Sequence, residues 1–351
     1  MTLHSYDIEG IVRIQSVVPL RELAYFRVES VDAPDLVVLG GFPSVAPHLR
    51  TTTRRVNGGI AHREQLGAFG ADFDVDFGKP VVVRANPLLR WSPHVLYTNV
   101  VEPLLRFIFA SKGYALLHCA SVVQGDEVLL LSAQTDTGKT TTVLRLIARH
   151  DVAFLADDMT IIEPGGIARR YPKPMTMSFH TFKAFDWRLT PVQRGKLAVQ
   201  SRVHSKSGRR VGHGIARLPV PIMAINAVTQ GIIPPPKHHV SDLMKVTIAE
   251  RAPIRRVVFM ERGEPMEAAV EVPAAVDLLL RNTEDAYTFP PYRSMAPFIT
   301  IDGVDHEELL ARERAVLHDA LQGADIRLLR VEDRSWADLI PAMASAPAPV
   351  P

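Results

Sequence analysis

The stretch Leu129–Met159, LLLSAQTDTGKTTTVLRLIARHDVAFLADDM, decides the expected fold. An apolar run over Val128–Leu131 predicts a strand that leads into a loop rich in polar residues. Apolar residues at helical spacing follow and predict a helix over Thr140–Arg149. A second apolar run, Val152–Ala156, predicts another strand. Strand, loop, helix and strand in this order predict a βαβ unit whose loop lies at the carboxyl end of a strand.

The loop of this unit predicts a phosphate-binding site, and it reads Ala133, Gln134, Thr135, Asp136, Thr137, Gly138, Lys139, Thr140. In the consensus G-x-x-x-x-G-K-[ST], backbone N–H groups wrap a phosphate chain at a helix N-terminus, the lysine reaches the outer phosphates and the hydroxyl binds magnesium. Gly138, Lys139 and Thr140 match it, but Ala133 replaces the first glycine. If that position needs a positive φ, alanine costs about 1 kcal/mol or more. Asp136 would repel a phosphate unless it points away or toward the metal. The alternative is a chance G-K-T at an ordinary helix start.

Two aspartates, Asp157 and Asp158, follow the second strand. In a parallel sheet a carboxylate at this point lies beside the loop and can hold Mg²⁺. An adjacent carboxylate can accept a proton from an attacking hydroxyl. The pair therefore favours phosphoryl transfer over simple hydrolysis, with a surface Asp-Asp turn as the alternative.

Three segments together resemble a known family: LLHCASVV (116–123), the loop with its flanks, and FLADDMTII (154–162). Their order and spacing are similar to those of the HPr kinase/phosphorylase-like kinases, the P-loop group related to phosphoenolpyruvate carboxykinases. The resemblance covers roughly residues 95 to 165, and RRVVFMERG (255–263) is weakly similar to a late strand of such proteins. It implies an α/β P-loop kinase-like domain that uses ATP and Mg²⁺.

The resemblance also implies roles for particular residues. His118 is expected near the transferred phosphate, Asp157 as the base that activates the acceptor hydroxyl, and Thr140 and Asp158 as magnesium ligands. The nucleotide is expected to bind Ala133, Gln134, Thr135, Asp136, Thr137, Gly138, Lys139, Thr140 and Thr141. This chain departs from the family at Ala133 and Asp136, where glycines are usual. It also lacks the signature of members that phosphorylate the HPr carrier, so the resemblance does not identify the acceptor. Related kinases often form homo-oligomers, so the resemblance leaves a homo-oligomer open, although the sequence does not decide the oligomeric state.

A basic stretch lies between Asp186 and Asp242, where nine Lys and Arg residues occur with no Asp or Glu. Its centre, HSKSGRRVGHG (204–214), mixes glycine, serine and basic residues and predicts a mobile anion-binding loop. Arginine forks bind phosphate oxygens, so Arg209 or Arg210, or Arg217 nearby, is expected to offset charge in the transition state. The alternative is a solvated basic surface. Nucleic acid is not expected as a partner, because few aromatic residues are present for stacking.

Two further segments carry structural expectations. Residues 218–236 are uncharged but interrupted by prolines, and we predict a buried strand and loop there; an apolar wall for a lipid-linked or membrane-surface substrate is the alternative. The sequence DFDVDFG places Asp72, Asp74 and Asp76 in alternation. The calcium-loop pattern fails because its twelfth position is Val83. Alternating aspartates on the outer face of a strand are predicted instead.

Length and composition limit the remaining choices. The chain has 351 residues and a net charge of +2, so the chain as a whole is no polyanion binder. We expect a β-rich N-terminal domain (1–91), the kinase-like domain (92–340) and a disordered Pro/Ala tail (341–351). Its single cysteine and the lack of a signal peptide or long apolar run favour a cytoplasmic protein without a membrane span.

The sequence thus predicts a kinase that moves the γ-phosphoryl group of ATP to a hydroxyl. The acceptor is expected to be an anionic small molecule, a lipid-linked alcohol or a protein. One alternative is a degenerate nucleotide-binding regulatory module without transfer, which the altered residues Ala133 and Asp136 favour. A third is a simple NTPase coupled to a partner.

Overall fold

A computed structural model describes residues 2–41, 52–66, 69–176, 221–287 and 291–344, together with Thr181 and Phe185. Its strands are β1 (His4–Ile8), β2 (Val12–Ser16), β3 (Arg27–Val28), β4 (Leu36–Gly40), β5 (Thr52–Val56), β6 (Gly59–Arg63), β7 (Gln65–Leu66), β8 (Phe69–Gly70), β9 (Phe73–Asp76), β10 (Val81–Ala85), β11 (Ala115–Leu117), β12 (Ala120–Gln124), β13 (Glu127–Ser132), β14 (Val152–Ala156), β15 (Thr160–Glu163), β16 (Ile167–Arg169), β17 (Met175–Thr176), β18 (Lys237–His238), β19 (Arg251–Arg262), β20 (Met266–Ala269), β21 (Thr300–Ile301), β22 (Val304–Asp305) and β23 (Asp325–Val331).

The helices begin directly after β10 and from there alternate with strands. They are α1 (Pro87–Trp91), α2 (Pro93–Leu96), α3 (Glu102–Ser111), α4 (Lys139–Arg149), α5 (Ile222–Ile232), α6 (Val240–Leu243), α7 (Val272–Ala286), α8 (Tyr292–Met295), α9 (His306–Ala320) and α10 (Trp336–Ala344). Short 3₁₀ helices cover Arg21–Phe26 and Ala296–Phe298, and a π-helical segment covers Tyr97–Val101. The protein is therefore mixed α/β with a β-rich N-terminal region, as the sequence predicts. None of the helices in the described ranges is both long and apolar enough to cross a membrane.

The chain divides into two compact units, each assembled from separate segments. The first unit takes its described residues from the ranges Met1–Lys112, Thr176–His238 and Tyr287–Arg312. The second unit takes them from Gly113–Met175, His239–Ala286 and Glu313–Pro351. The expected boundaries at 91/92 and 340/341 concern independently folding domains, and they remain predictions.

An eight-stranded mixed sheet forms the first unit, in the order β3-β1-β2-β4-β10-β9-β6-β5. Apolar residues that alternate along β2, β4 and β10 point to one face and are buried. Just beyond β10 the chain becomes helical, and Pro103 lies at the start of α3, where its missing N–H costs least. The π-helical segment immediately before it widens the turn that Pro103 would otherwise crowd.

The second unit is built on a nine-stranded mixed sheet with β19 near its centre. Its main path runs β11-β15-β16-β19-β13-β12-β14, and β23 and β20 extend it from β19. The twelve residues of β19 pair in parallel with β13 on one side and β23 on the other. Helices α7 and α9 contribute Val276, Leu279 and Leu317 to the core beside this sheet. The sheet thereby places the ends of β13, β14 and β19 on a rigid support.

The predicted βαβ unit is present, but its strands are not neighbours. Strand β12 lies between β13 and β14 and is antiparallel to both, so β13 and β14 share a direction without pairing. The segment LLHCASVV (116–123) covers parts of two strands, β11 and β12, with His118 and Cys119 between them. The break exists because β11 pairs with β15 while β12 pairs with β13.

Three other expectations need correction. Part of the predicted strand and loop at 218–236 is a helix, α5, because its apolar residues bury one helical face at Ile222, Met223 and Ala227. Asp74 does not face solvent: it is buried in β9 and paired with Arg63 of β6. The first four residues of the predicted disordered tail, 341–344, belong to α10.

Near the end of the chain, Asp305 caps α9 by accepting the Glu308 N–H at 2.9 Å. Two predictions lie outside the described ranges. The anion-binding loop at 204–214 and residues 345–351 fall outside the residues that the structure describes.

Candidate active site

The loop between β13 and α4 has a backbone that suits its unusual sequence. Positive φ values occur at Asp136 (+67°) and Gly138 (+139°), and Ala133 does not have one. The backbone strain expected for alanine in place of glycine at position 133 is therefore absent. The left-handed backbone occurs at Asp136 instead, and aspartate tolerates this region better than most residues.

Gly138 is the glycine that this loop requires. Its φ lies in the region that side chains avoid, and a Cβ placed there would come within 3.3 Å of the Trp336 ring. Its carbonyl oxygen accepts the Thr142 N–H at 3.0 Å, which begins α4. The helix N-terminus therefore starts directly at the end of the loop, with Gln134 and Thr135 exposed before it.

Lys139 is the buried cation of the site. Its Nζ donates to the Ala133 carbonyl oxygen at 2.8 Å and lies 3.4 Å from His118 Nε2. Burial lowers the pKa of Lys139, and Asp158 and Asp157 oppose that shift. The Lys139 side chain thus spans the loop from its last residues back to Ala133 and places a positive charge beside it.

His118 occupies the break between β11 and β12 and is held by the last turns of α7. Its backbone N–H donates to Thr283 Oγ1 at 3.2 Å. Its Nδ1 lies 3.1 Å from the Asn282 carbonyl oxygen, which can only accept. Nδ1 is therefore the donor in this contact, and Nε2 lies near Lys139 and, at 3.3 Å, near Asp158 Oδ1.

The two aspartates after β14 have different surroundings. Thr140 Oγ1 donates to Asp157 Oδ2 at 2.9 Å, and Asp157 Oδ1 is buried with no hydrogen-bond partner among the described residues. Burial, aided by the neighbouring charge of Asp158, raises the pKa of Asp157 to about 7. The sequence assigned Thr140 and Asp158 to a shared metal site, yet Thr140 bonds directly to Asp157.

Asp158 is a stabilised anion. Burial acts to raise its pKa, but Lys173 and His118 outweigh burial and hold the pKa well below its usual range. The Lys173 Nζ lies 2.5 Å from Asp158 Oδ2. One carboxyl group of the pair is thus poised to take up a proton near neutral pH, whereas its neighbour remains ionised.

Several site residues carry no recognisable signal in the sequence. Lys173 follows β16 in a proline-rich turn, and Asn282, Thr283 and Asp285 lie on α7, far along the chain from the loop. Asp285 Oδ2 accepts the Thr135 N–H at 3.0 Å, a donor that a phosphate would otherwise use. Only the folded sheet brings them to the loop. Of the predicted catalytic residues, Arg209 and Arg210 lie outside the described residues.

Magnesium fits this site as a partner of phosphate rather than as an ion held by protein alone. The described residues contain no cluster of three or more His, Cys, Asp or Glu side chains able to hold a metal. A protein site for Mg²⁺ in nucleotide enzymes often supplies one or two ligands, and phosphates and water supply the rest. The buried, unpartnered Oδ1 of Asp157 beside the Thr140 hydroxyl matches that requirement.

Comparisons with known proteins do not identify a family for this chain. No protein-family model matches it. No curated protein matches it significantly either. Any functional assignment therefore rests on the residues and their geometry.

Proposed function

We propose that the protein is an ATP-dependent phosphotransferase whose active site is the loop of the second unit. One observation carries the proposal: groups from three separated motifs meet there. His118 Nε2 lies 3.4 Å from Lys139 Nζ and 3.3 Å from Asp158 Oδ1. In the same place Thr140 bonds to Asp157. A phosphate loop that only anchored a nucleotide has no need of a histidine and two unequal carboxyl groups.

The roles follow from each group's environment. Lys139 and the loop N–H groups bind the polyphosphate of ATP, with Thr141 at the start of α4 as a further contact. Thr140, with Asp158 or Asp157, would hold Mg²⁺, which when bound screens the phosphate charges. Asp157, whose pKa is about 7, accepts the proton of the acceptor hydroxyl. His118 and Lys139 face the developing negative charge.

The resemblance to the HPr kinase and phosphoenolpyruvate carboxykinase group supports the same proposal. It rests on the three motifs around His118, the loop and Asp157-Asp158. By that likeness the second unit would have the P-loop kinase fold of that group. The acceptor would be a hydroxyl compound, an anionic one if the basic stretch around Arg209 and Arg210 serves it.

The test is a calorimetric titration of MgATP and MgADP into the wild type, Lys139→Ala and Lys245→Ala. Lys245 is an exposed lysine of the same unit and serves as the control. We expect binding by the wild type and by Lys245→Ala, and none by Lys139→Ala. Failure of the wild type to bind either nucleotide would overturn the proposal.

A second candidate is a regulatory module that binds nucleotide without transferring phosphate. The contact between Asp285 and the Thr135 N–H favours it, because a protein carboxylate occupies a loop donor. The two candidates differ in turnover. A kinase consumes ATP faster when a hydroxyl acceptor is supplied, whereas a regulatory module shows binding but no consumption with any acceptor.

A further inference from the structure

Three arginines from three elements meet at the later half of the loop in the second unit. Arg262, at the end of β19, donates through Nη2 to the carbonyl oxygens of Asp136 at 3.1 Å and Thr137 at 2.8 Å. Arg334, three residues after β23, places its Cδ 3.8 Å from a Cβ built on Gly138. Arg145 of α4 donates to the Arg334 carbonyl oxygen at 3.2 Å and holds that segment in place. None of the three belongs to a sequence motif for phosphate binding.

Positive charge exceeds negative charge at this point. The Arg334 guanidinium forms no hydrogen bond or ion pair within the described residues, and Arg262 uses Nη2 on backbone carbonyls that carry no net charge. Burial, followed by the charges of Arg262 and Arg145, lowers the pKa of Arg334, and Asp136 opposes that effect. Arg145 also lies near Asp333, whose carboxylate is fully exposed. Asp136 is therefore the negative charge that acts on Arg334, whereas Arg262 contacts only backbone carbonyl oxygens of the loop.

The backbone of Arg334 adds an independent sign of a functional position. Its φ is +67°, in the left-handed region that favours glycine. An arginine held there stores backbone strain, and such residues cluster at binding and catalytic sites. The side chain of Arg334 is half-exposed and forms no hydrogen bond with the part of the chain that the structure describes, so packing there does not require an arginine.

We propose that Arg262 and Arg334 form a polyphosphate subsite, in which their guanidinium groups bind phosphate oxygens of the nucleotide at Gly138 and Lys139. This inference rests on the proposed nucleotide site and adds to it the residues that recognise the phosphate chain. Guanidinium groups suit this task because they donate two parallel hydrogen bonds to phosphate. Asp136, which weakens the loop as a phosphate site, acts as the counter-charge of Arg334 until phosphate binds.

The experiment compares binding of MgATP and of magnesium tripolyphosphate, which has no base or ribose. The variants are Arg334→Gln, Arg262→Gln and the control Arg327→Gln, which removes an arginine of β23 paired with Asp325 and Glu267 instead. We expect Arg334→Gln to weaken both ligands at least tenfold, Arg262→Gln to weaken both less, and the control to bind like the wild type. Equal losses for the two ligands identify phosphate as the contacted group.

A further variant separates binding from folding. Arg334→Gly relieves the strained φ, so its thermal midpoint should equal or exceed that of the wild type while its affinity falls as in Arg334→Gln. If Arg334→Gln does not fold, Arg334→Gly and the exposed Arg262→Gln still carry the test.

Three results would overturn the inference, and they differ in whether the proposed function also fails. If the arginine variants bind both ligands like the wild type while Lys139→Ala binds neither, the subsite is wrong and the proposed function stands. If the variants lose affinity for MgATP but not for magnesium tripolyphosphate, the arginines contact the nucleoside, and the phosphate subsite is again wrong. If the wild type binds neither ligand, the proposed function fails and the subsite falls with it.

Discussion

In the first unit, Arg63 and Asp74 lie on the neighbouring strands β6 and β9, and their side chains form a buried ion pair of 2.6 Å. Arg63 also donates to the carbonyl oxygens of His62 and Phe73. In the second unit, Lys139 and Asp157 are equally buried, but they are not joined in a pair. Lys139 donates to a backbone carbonyl, and one oxygen of Asp157 has no partner among the described residues.

The difference shows how burial of charge serves two purposes. In a buried pair of opposite charges each group neutralises the other, so little charge remains to attract a ligand. A buried group without its own partner is costly for folding and available for binding or proton transfer. The raised pKa of Asp157 and the lowered pKa of Lys139 are the electrostatic signs of the second arrangement.

The largest change in the free energy of unfolding is expected when the buried Arg63–Asp74 pair of the first unit is broken. Arg63→Met leaves Asp74 buried without its cation, and we expect the free energy of unfolding to fall by about 3–5 kcal/mol. Urea denaturation measures it. The double variant Arg63→Met with Asp74→Leu should regain much of the loss, because it removes both charges. A single variant as stable as the wild type would show that the pair contributes nothing.

Removing the unmatched carboxyl group should have the opposite effect on stability. The folded-state pKa of Asp157 is about 7, above its ordinary value of 3.8, so the stability linked to this group is present at low pH and is lost as pH rises through 7. Asp157→Asn should abolish turnover yet unfold at a higher urea concentration than the wild type at pH 8. At pH 5 this gain should be smaller by roughly 3 kcal/mol, because two pH units below the folded pKa correspond to about 1.4 kcal/mol each.

Two measurements separate the roles of Asp157. Denaturation of wild type and Asp157→Asn at pH 5 and pH 8 tests the shifted pKa, and equal stabilities at pH 8 would contradict it. Titration with MgATP tests the chemical role: a base leaves binding nearly unchanged when lost, whereas a necessary metal ligand does not. Full activity of Asp157→Asn would exclude it as the base.

The smallest effect is expected at the carboxylate that touches the loop. Asp285→Asn keeps an acceptor for the Thr135 N–H but removes a negative charge from the phosphate site. We expect affinity for MgATP to rise about threefold to tenfold, or roughly 1 kcal/mol. Asp277→Asn on the same helix is the control, because Asp277 pairs with Arg314 instead. Unchanged or weaker binding by Asp285→Asn would assign Asp285 to support of the loop.

Sequence reasoning predicted those parts of the site that lie close together along the chain. Strand β13, helix α4 and strand β14 follow from hydrophobic periodicity, and Lys139, Thr140 and Asp157 are fixed to them by spacing of a few residues. His118 was found through a family resemblance, and the structure places it against Lys139. The expected cost at Ala133 was misplaced, because periodicity does not report which loop residue takes a positive φ.

Local sequence by itself determined that a strand ends in Gly138-Lys139-Thr140, that a helix follows and that two aspartates end the next strand. Those features depend on backbone geometry and on which residues alternate between water and the core. Only the tertiary structure decided that Thr140 meets Asp157 and that Asp285 reaches the Thr135 N–H. It also decided that Arg262 reaches the carbonyl oxygens of Asp136 and Thr137 and that Arg334 approaches Gly138. The contacts of Asp285, Arg262 and Arg334 join residues more than a hundred positions apart, and their pairing depends on the order of strands in the sheet. Burial, which sets the pKa of each group, comes from the same long-range packing.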